Sequence, residues 1–252
     1  MAASDWDRSR AASPESARSP RHAAFVRITH WVAALSFCAL LLSGVEILIS
    51  HPRFYWGEAG NVATPALFQI PIPSSRAIIP TGYGFVLPDQ NGWSRALHFQ
   101  SAWAVVIAGL FYVGFGLWTR HFRRNLLPSR QDLAWGALSA TLADHLRFKR
   151  PGEAEAWSYN TLQRITYLKV IFVLFPVMIW TGLAMSPGFV SAFPATVTVL
   201  GGQQSARTIH FFATLALVLF TLVHILMVSL AGFGPRVAAM ITGKAAGAKE
   251  EA

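Results

Sequence analysis

Residues 205–231, SARTIHFFATLALVLFTLVHILMVSLA, decide how the rest of the chain is read. A run of about 20 apolar residues suffices to cross a bilayer, and this one is longer, yet it carries His210 and His224. An ionisable ring inside hydrocarbon is costly, so such residues are as a rule paired, ligating or functional. Their spacing is close to four helical turns, so both rings leave the helix on nearly the same face, about 21 Å apart along its axis. That places one near each edge of a hydrocarbon core about 30 Å thick.

Composition agrees with a membrane setting. Of 252 residues, 53% are hydrophobic and 13% charged, about half the charged share of a soluble domain; mean hydropathy is +0.41. A net charge of +9 would suit nucleic acid, but the basic residues cluster in loops beside apolar spans. The excess of Lys and Arg on the cytoplasmic side of membrane proteins accounts for them, and no nucleic acid is expected. The single cysteine, Cys38, excludes an intrachain disulfide, a cysteine-ligated iron–sulfur cluster and a C-x-x-C-H attachment site.

Taken in order, residues 1–22 are rich in Ser, Ala, Arg and Pro without apolar periodicity, and read as a disordered basic tail. The first span runs over about 25–50. It is too long for the apolar core of a signal peptide and lacks a following small-residue cleavage site, so it reads as a retained helix. Residues 51–92 form a long connection dense in Pro, Gly and aromatics, a surface for a partner at the membrane edge. The second span covers about 93–118, with Gly109, Gly114 and Gly116 expected to permit close helix approach. After the basic segment RHFRR (120–124), Ser129 and Asp132 resemble a helix start. Leu133, Ala137, Leu138, Leu142 and Leu146 then recur at helical spacing, predicting an amphipathic helix on the membrane surface. The third span, about 162–185, contains Pro176, a cause of bending. The fourth span is 205–231, and residues 241–252 read as a flexible C-terminal tail.

Lys and Arg number five up to Arg27, seven in 119–161 and three after 231, against two in 51–92 and none in 186–204. That asymmetry predicts both termini in the cytoplasm. The expected fold is an all-α membrane protein, a four-transmembrane-helix bundle with an interfacial amphipathic helix between spans two and three. Such bundles hold cofactors between facing helices.

Aligning the spans exposes a short repeat: Arg27-Ile-Thr-His30-Trp31, Arg95-Ala-Leu-His98-Phe99 and Arg207-Thr-Ile-His210-Phe211. Residues three apart share a helix face, so each Arg sits one turn nearer water than its His. This matches what a b-type haem requires. Imidazoles bind the iron axially from both faces, the porphyrin edge suits an apolar interior, and propionates call for a planar cation such as Arg27, Arg95 or Arg207. The predicted topology places His98 and His210 near the outer edge, and His30 and His224 near the inner one. Two haems b stacked across the bilayer follow, with pairs His98/His210 and His30/His224. The competing reading for any one such histidine is a hydrogen-bonded packing residue; four at matching depths, three with the same Arg offset, argue against it. Zinc is less attractive, because two ligands per site leave its coordination incomplete. Glu46, in the outer half of span one, reads either as a proton-transfer group or as a carboxylate facing a polar interior or interface. His22, His51, His121 and His145 lie in tails, loops or the surface helix and carry no expected chemistry.

The same residues resemble the di-haem cytochrome b membrane subunits found with formate dehydrogenase, nickel–iron hydrogenase and thiosulfate reductase, the thiosulfate reductase branch most of all. The matching pieces are Arg27–Trp31, HPRFYWGE (51–58), Arg95–Phe99, HFRRNLLP (121–128), Tyr159-Asn-Thr-Leu-Gln163 and His210 with His224. The resemblance covers about residues 22–240, so 23–240 is expected to form one di-haem domain. It implies a multi-pass protein of a bacterial inner membrane, two haems with the pairings above, and a quinone site beside the inner haem. In formate dehydrogenase relatives that site involves a Tyr-Asn-x-Gly-Gln segment. Tyr159, Asn160 and Gln163 match it, while Leu162 stands where the relatives carry glycine; alternatively Asn160 caps the third helix.

The expected function is that of an electron-transfer subunit of an oxidoreductase complex, not a complete enzyme. It would connect quinone or quinol with a periplasmic partner, which the resemblance makes a molybdopterin oxidoreductase. The rivals are a metal or proton transporter built on intramembrane histidines, and a passive membrane anchor. The first gives no reason for the Arg offsets; the second would tolerate loss of all four histidines.

Overall fold

A computed structural model describes residues 22–61, 63–72, 90–128 and 161–243. In chain order it contains α1 (Ala24–Ser50), β1 (Arg53–Phe54), β2 (Phe68–Gln69), α2 (Gln90–Trp118), a π turn (Phe122–Leu126), α3 (Thr161–Lys169), a second π turn (Val170–Leu174), α4 (Phe175–Ala184), α5 (Pro187–Ala192), α6 (Ala195–Thr198), α7 (Gln203–Leu230) and α8 (Phe233–Thr242). Four helices are long and apolar enough to cross a membrane: α1, α2, the continuous α3–π–α4 rod and α7. Their limits agree with the expected spans to within a few residues, and the fold is an all-α membrane bundle. The predicted amphipathic helix, Tyr159 and Asn160 lie outside the described residues.

The distribution of side chains is that of a lipid-embedded protein. Leu35, Leu110 and Leu219 are 62–71% exposed, whereas the largest fully buried side chains are Thr181, Thr208, Ser43, Ser94 and Ser205. Lipid tails solvate leucine as well as a core does, so apolar residues gain little by facing inward. Small hydroxyl residues turn to the interior, where they bond to the helix backbone and let helices approach. Thr29, Ser43 and Thr181 each donate to carbonyls three or four residues back, at 2.7–3.2 Å.

Packing divides the bundle into halves. α1 lies along α2, and the third span lies along α7, while backbone approach between the two halves is slight among the described residues. Among the described residues, ties join the halves at both ends. At one end Arg27 Nη1 donates to the Ile241 carbonyl at 2.6 Å and Trp31 Nε1 to that of Met240 at 3.1 Å. These bonds satisfy the last carbonyls of α8, which ends at Gly243 in the left-handed conformation, φ 81°. We call this the terminal end. At the other, the loop end, residues 51–58 clamp the start of α7. The Gly57 carbonyl accepts from the Gln204 and Ser205 amides at 3.0 and 3.2 Å. The Gly57 amide donates to Ser205 Oγ at 2.7 Å, and Glu58 Oε2 accepts from the Gln203 amide at 3.3 Å. A carboxylate and a carbonyl thus meet the orphan N–H groups of a helix N-terminus.

Sequence expectations need correction in places. A Cβ added at Gly109 or Gly114 would meet nothing within 4 Å among the described residues, so neither mediates close helix approach there. Gly116 does admit a neighbour, but it is the ring of Phe122, 2.7 Å from such a Cβ; Phe122 also meets Phe172 of the third span edge-on at 5.1 Å. The HFRRNLLP segment is therefore an anchor that folds back under α2. The effect expected of Pro176 falls just before it. Lacking an N–H, and with a ring that crowds the carbonyl four residues back, it follows a widened turn in which the Phe175 amide bonds to Val170. The 186–204 connection holds α5 and α6, and α8 follows the fourth span where no helix was expected.

Candidate haem-binding sites

The four intramembrane histidines meet in two pairs across the gap between the halves. His98 of α2 faces His210 of α7 with ring centroids 6.3 Å apart, and His30 of α1 faces His224 of α7 at 6.4 Å. Two imidazoles on one iron, with metal–nitrogen bonds of about 2 Å and about 1.2 Å from each nitrogen to its ring centre, separate their centroids by about 6.4 Å. Among the described residues no third His, Cys, Asp or Glu joins either pair. Two axial nitrogens are what a porphyrin, which brings four nitrogens of its own, leaves to the protein. The donor set and the spacing both fit haem.

At the loop-end pair each ring is oriented by a hydroxyl from the neighbouring span. His98 Nδ1 lies 3.0 Å from Ser43 Oγ, and His210 Nδ1 lies 2.8 Å from Thr181 Oγ1. Both hydroxyl protons go to backbone carbonyls, of Ala39 and Val177, at 2.7 Å. The oxygens are left to accept, so Nδ1 carries the proton and Nε2 keeps its lone pair for a metal. A glycine follows each hydroxyl. A Cβ at Gly44 would sit 3.6 Å from His98 Cε1, and one at Gly182 3.7 Å from His210 Cε1, so a longer side chain would enter the space beside the rings. These four residues escaped the sequence reading. The signal was available in the two dipeptides, Ser43-Gly44 and Thr181-Gly182, standing toward the loop ends of spans one and three.

The terminal-end pair is set among aromatics. His30 meets Trp31 edge-on at 5.3 Å; His224 stacks with Phe220 at 5.7 Å and meets Tyr167 edge-on at 6.3 Å. His30 Nδ1 is buried and has no hydrogen-bond partner among the described residues.

The three arginines do not share one environment. Arg95 is exposed at the loop end. Arg207 donates Nη2 to the His51 carbonyl and Nη1 to Gln204 at 3.3 Å, with its guanidinium 4.7 Å over the Phe54 ring. Arg27 holds α8, yet its buried Nε lacks a partner among the described residues. One oxygen of Glu46 is likewise buried and unpartnered among them, placing this carboxylate toward the interior. Gln163 stands in the first turn of α3, four residues before Tyr167 and thus on the same face, the face whose tyrosine ring meets His224.

A membrane bundle whose facing helices present paired histidines at this separation defines a membrane cytochrome b, a haem-binding electron-transfer subunit. Residues 21–243 match the family model described as prokaryotic cytochrome b561, and the chain belongs to that family. A relative from Azospira oryzae, named as putative protein-methionine-sulfoxide reductase subunit YedZ1, is 28% identical over 214 residues, 83% of this chain and 90% of that protein. No solved structure matches the chain. The family and the four apolar spans make it a multi-pass protein of the bacterial inner membrane that binds haem b.

Proposed function

We propose that this chain holds two haems b, one on His98 and His210 and one on His30 and His224, and serves electron transfer between the quinone pool and a periplasmic oxidoreductase. The observation that carries the proposal is the equality of the two ring separations, 6.3 and 6.4 Å, at opposite ends of the same helix. Packing histidines would have no reason to reproduce one metal-centred distance twice. When bound, haem supplies reversible one-electron chemistry at iron; the protein's part is to fix its ligands and exclude water.

The Lys and Arg asymmetry supports a cytoplasmic terminal end. Gln163, with Tyr159 and Asn160 just before it in sequence, supplies polar groups for a quinone on that side, near His224. The Nε of Arg27, unpartnered among the described residues, and the exposed Arg95 are the donors we assign to propionates, with Arg207 as a cation held at the loop end. The partner would dock on the 51–92 loop, whose clamped residues 51–58 sit above His210. The A. oryzae relative is named as a reductase subunit, which supports an oxidoreductase partner; that this partner is a molybdopterin enzyme is our reading from the family resemblance.

A reduced-minus-oxidised visible spectrum of the purified chain, with haem quantified, tests this reading. Two b haems per chain are expected, with one lost in His98→Ala or His210→Ala and the other in His30→Ala or His224→Ala. A folded chain containing no haem when haem is available would overturn it, and losses that cross the pairs would overturn the pairing. Deleting part of the 51–92 loop should abolish haem reduction by the partner with spectra intact.

A further inference from the structure

The two histidine pairs are matched in spacing but not in what stands behind the rings. At the loop end both Nδ1 atoms meet a fully buried hydroxyl, Ser43 for His98 and Thr181 for His210, at 3.0 and 2.8 Å. The arrangement is repeated in detail. In each case the hydroxyl comes from the preceding span, bonds to the carbonyl four residues back, is followed by a glycine, and lies over that glycine's contact with the ring. The Leu40 and Met178 carbonyls, three residues before each hydroxyl, face the same histidines. At the terminal end His30 Nδ1 is buried without such a partner among the described residues.

An acceptor on the far nitrogen of a metal-bound imidazole holds its proton and shifts electron density onto the ligating nitrogen, making the ligand more basic. A more basic ligand favours the ferric over the ferrous ion, so it lowers the reduction potential of the iron it binds. We infer that Ser43 and Thr181 are positioning residues that fix the His98 and His210 rings through Nδ1 and lower the potential of the loop-end haem. The inference rests on the reading that each pair shares one haem. It assigns the two hydroxyls to opposite faces of a single haem, so their effects fall on one redox component and not on the other.

The experiment is a potentiometric titration of the full chain with haem bound, following the visible bands, alongside haem content and low-temperature electron paramagnetic resonance of the ferric form. The loop-end component is identified as the one missing in His98→Ala. Ser43→Ala and Thr181→Val should each raise the midpoint of that component and shift its ferric resonance, leaving the other component where it was. Because a backbone carbonyl remains near each ring, two haems per chain are expected to persist. Ser43→Thr and Thr181→Ser, which keep the hydroxyl, should behave as the parent. Loss of the loop-end haem in the hydroxyl-free variants alone would support the positioning role in its stronger form. Loss in the hydroxyl-retaining variants too would reduce both residues to packing and overturn the inference, as would unshifted midpoints or a shift confined to the terminal-end component. A parent chain with fewer than two haems would instead sink the pairing on which the inference depends.

Discussion

Arg27 and Ile241, 214 residues apart in sequence, are joined by a 2.6 Å hydrogen bond from guanidinium to carbonyl. It fastens the beginning of the first span to the end of the last helix, directly below the His30/His224 pair. Gly243 completes the joint, with φ 81° and a hypothetical Cβ 3.0 Å from Arg27 Cζ. Gly243→Ala should therefore cost about 1–2 kcal/mol for the left-handed backbone alone, and displace the guanidinium as well. A lower melting temperature in detergent, with the His30/His224 haem lost before the other on heating, is the expected result.

The loop-end clamp separates two adjacent glycines. Both have positive φ, 80° at Gly201 and 111° at Gly202, but a Cβ at Gly201 would make ordinary contacts from 3.5 Å outward, whereas one at Gly202 would lie 2.4 Å from the Gly57 backbone. Gly201→Ala should cost about 1–2 kcal/mol; Gly202→Ala should cost more, because two backbones must part. Thermal denaturation of the two variants side by side checks the order, and equal effects would contradict the clamp.

Gly44 and Gly182 predict a size threshold. Alanine fits at ordinary contact distances from His98 and His210, so Gly44→Ala and Gly182→Ala should keep both haems. Gly44→Leu and Gly182→Leu would push a branched side chain into the space beside the rings. Haem quantification should then show one haem per chain, with the His30/His224 haem retained.

His121 lies outside the spans, bonded through Nδ1 to Asn125 at 3.0 Å and edge-on to Phe25 at 5.3 Å. Burial holds its pKa below the ordinary 6.5. The folded chain therefore binds this proton less readily than the unfolded chain, and stability falls as pH drops from 6.5 through the folded value. His121→Asn should flatten that part of the pH–stability curve; an unchanged curve would show that the ring is not responsible.

The spans and the histidine pairing were legible because both depend on local, periodic facts. Apolar length reports a span, and the fourteen-residue spacing of His210 and His224 fixes two depths on one helix. The Arg-x-x-His repeat was legible too, although geometry gives its members different surroundings: Arg27 ties α8 and Arg207 ties the 51–58 segment. What escaped depends on contacts between distant segments. Ser43 and Thr181 look like any small residues in membrane helices until His98 and His210 are seen against them. The same holds for Gly116, whose nearest neighbour is the Phe122 ring. Gly57 and Gly202 gave no hint in sequence that they would meet. α8 is short enough that periodicity says little, and its limits are set by Gly232 and Gly243 together with Arg27.

The slight backbone contact between the α1–α2 half and the α3–α7 half bears on how the chain survives in a cell. Among the described residues the halves are tied chiefly at their ends, so haem bound between the paired histidines would supply much of the packing in the middle of the bundle. Any ligand that binds the native form alone stabilises it in proportion to its supply. A cell starved of porphyrin is therefore expected to hold this polypeptide as a loosened, protease-sensitive chain, and its abundance should track haem synthesis even when transcription is constant.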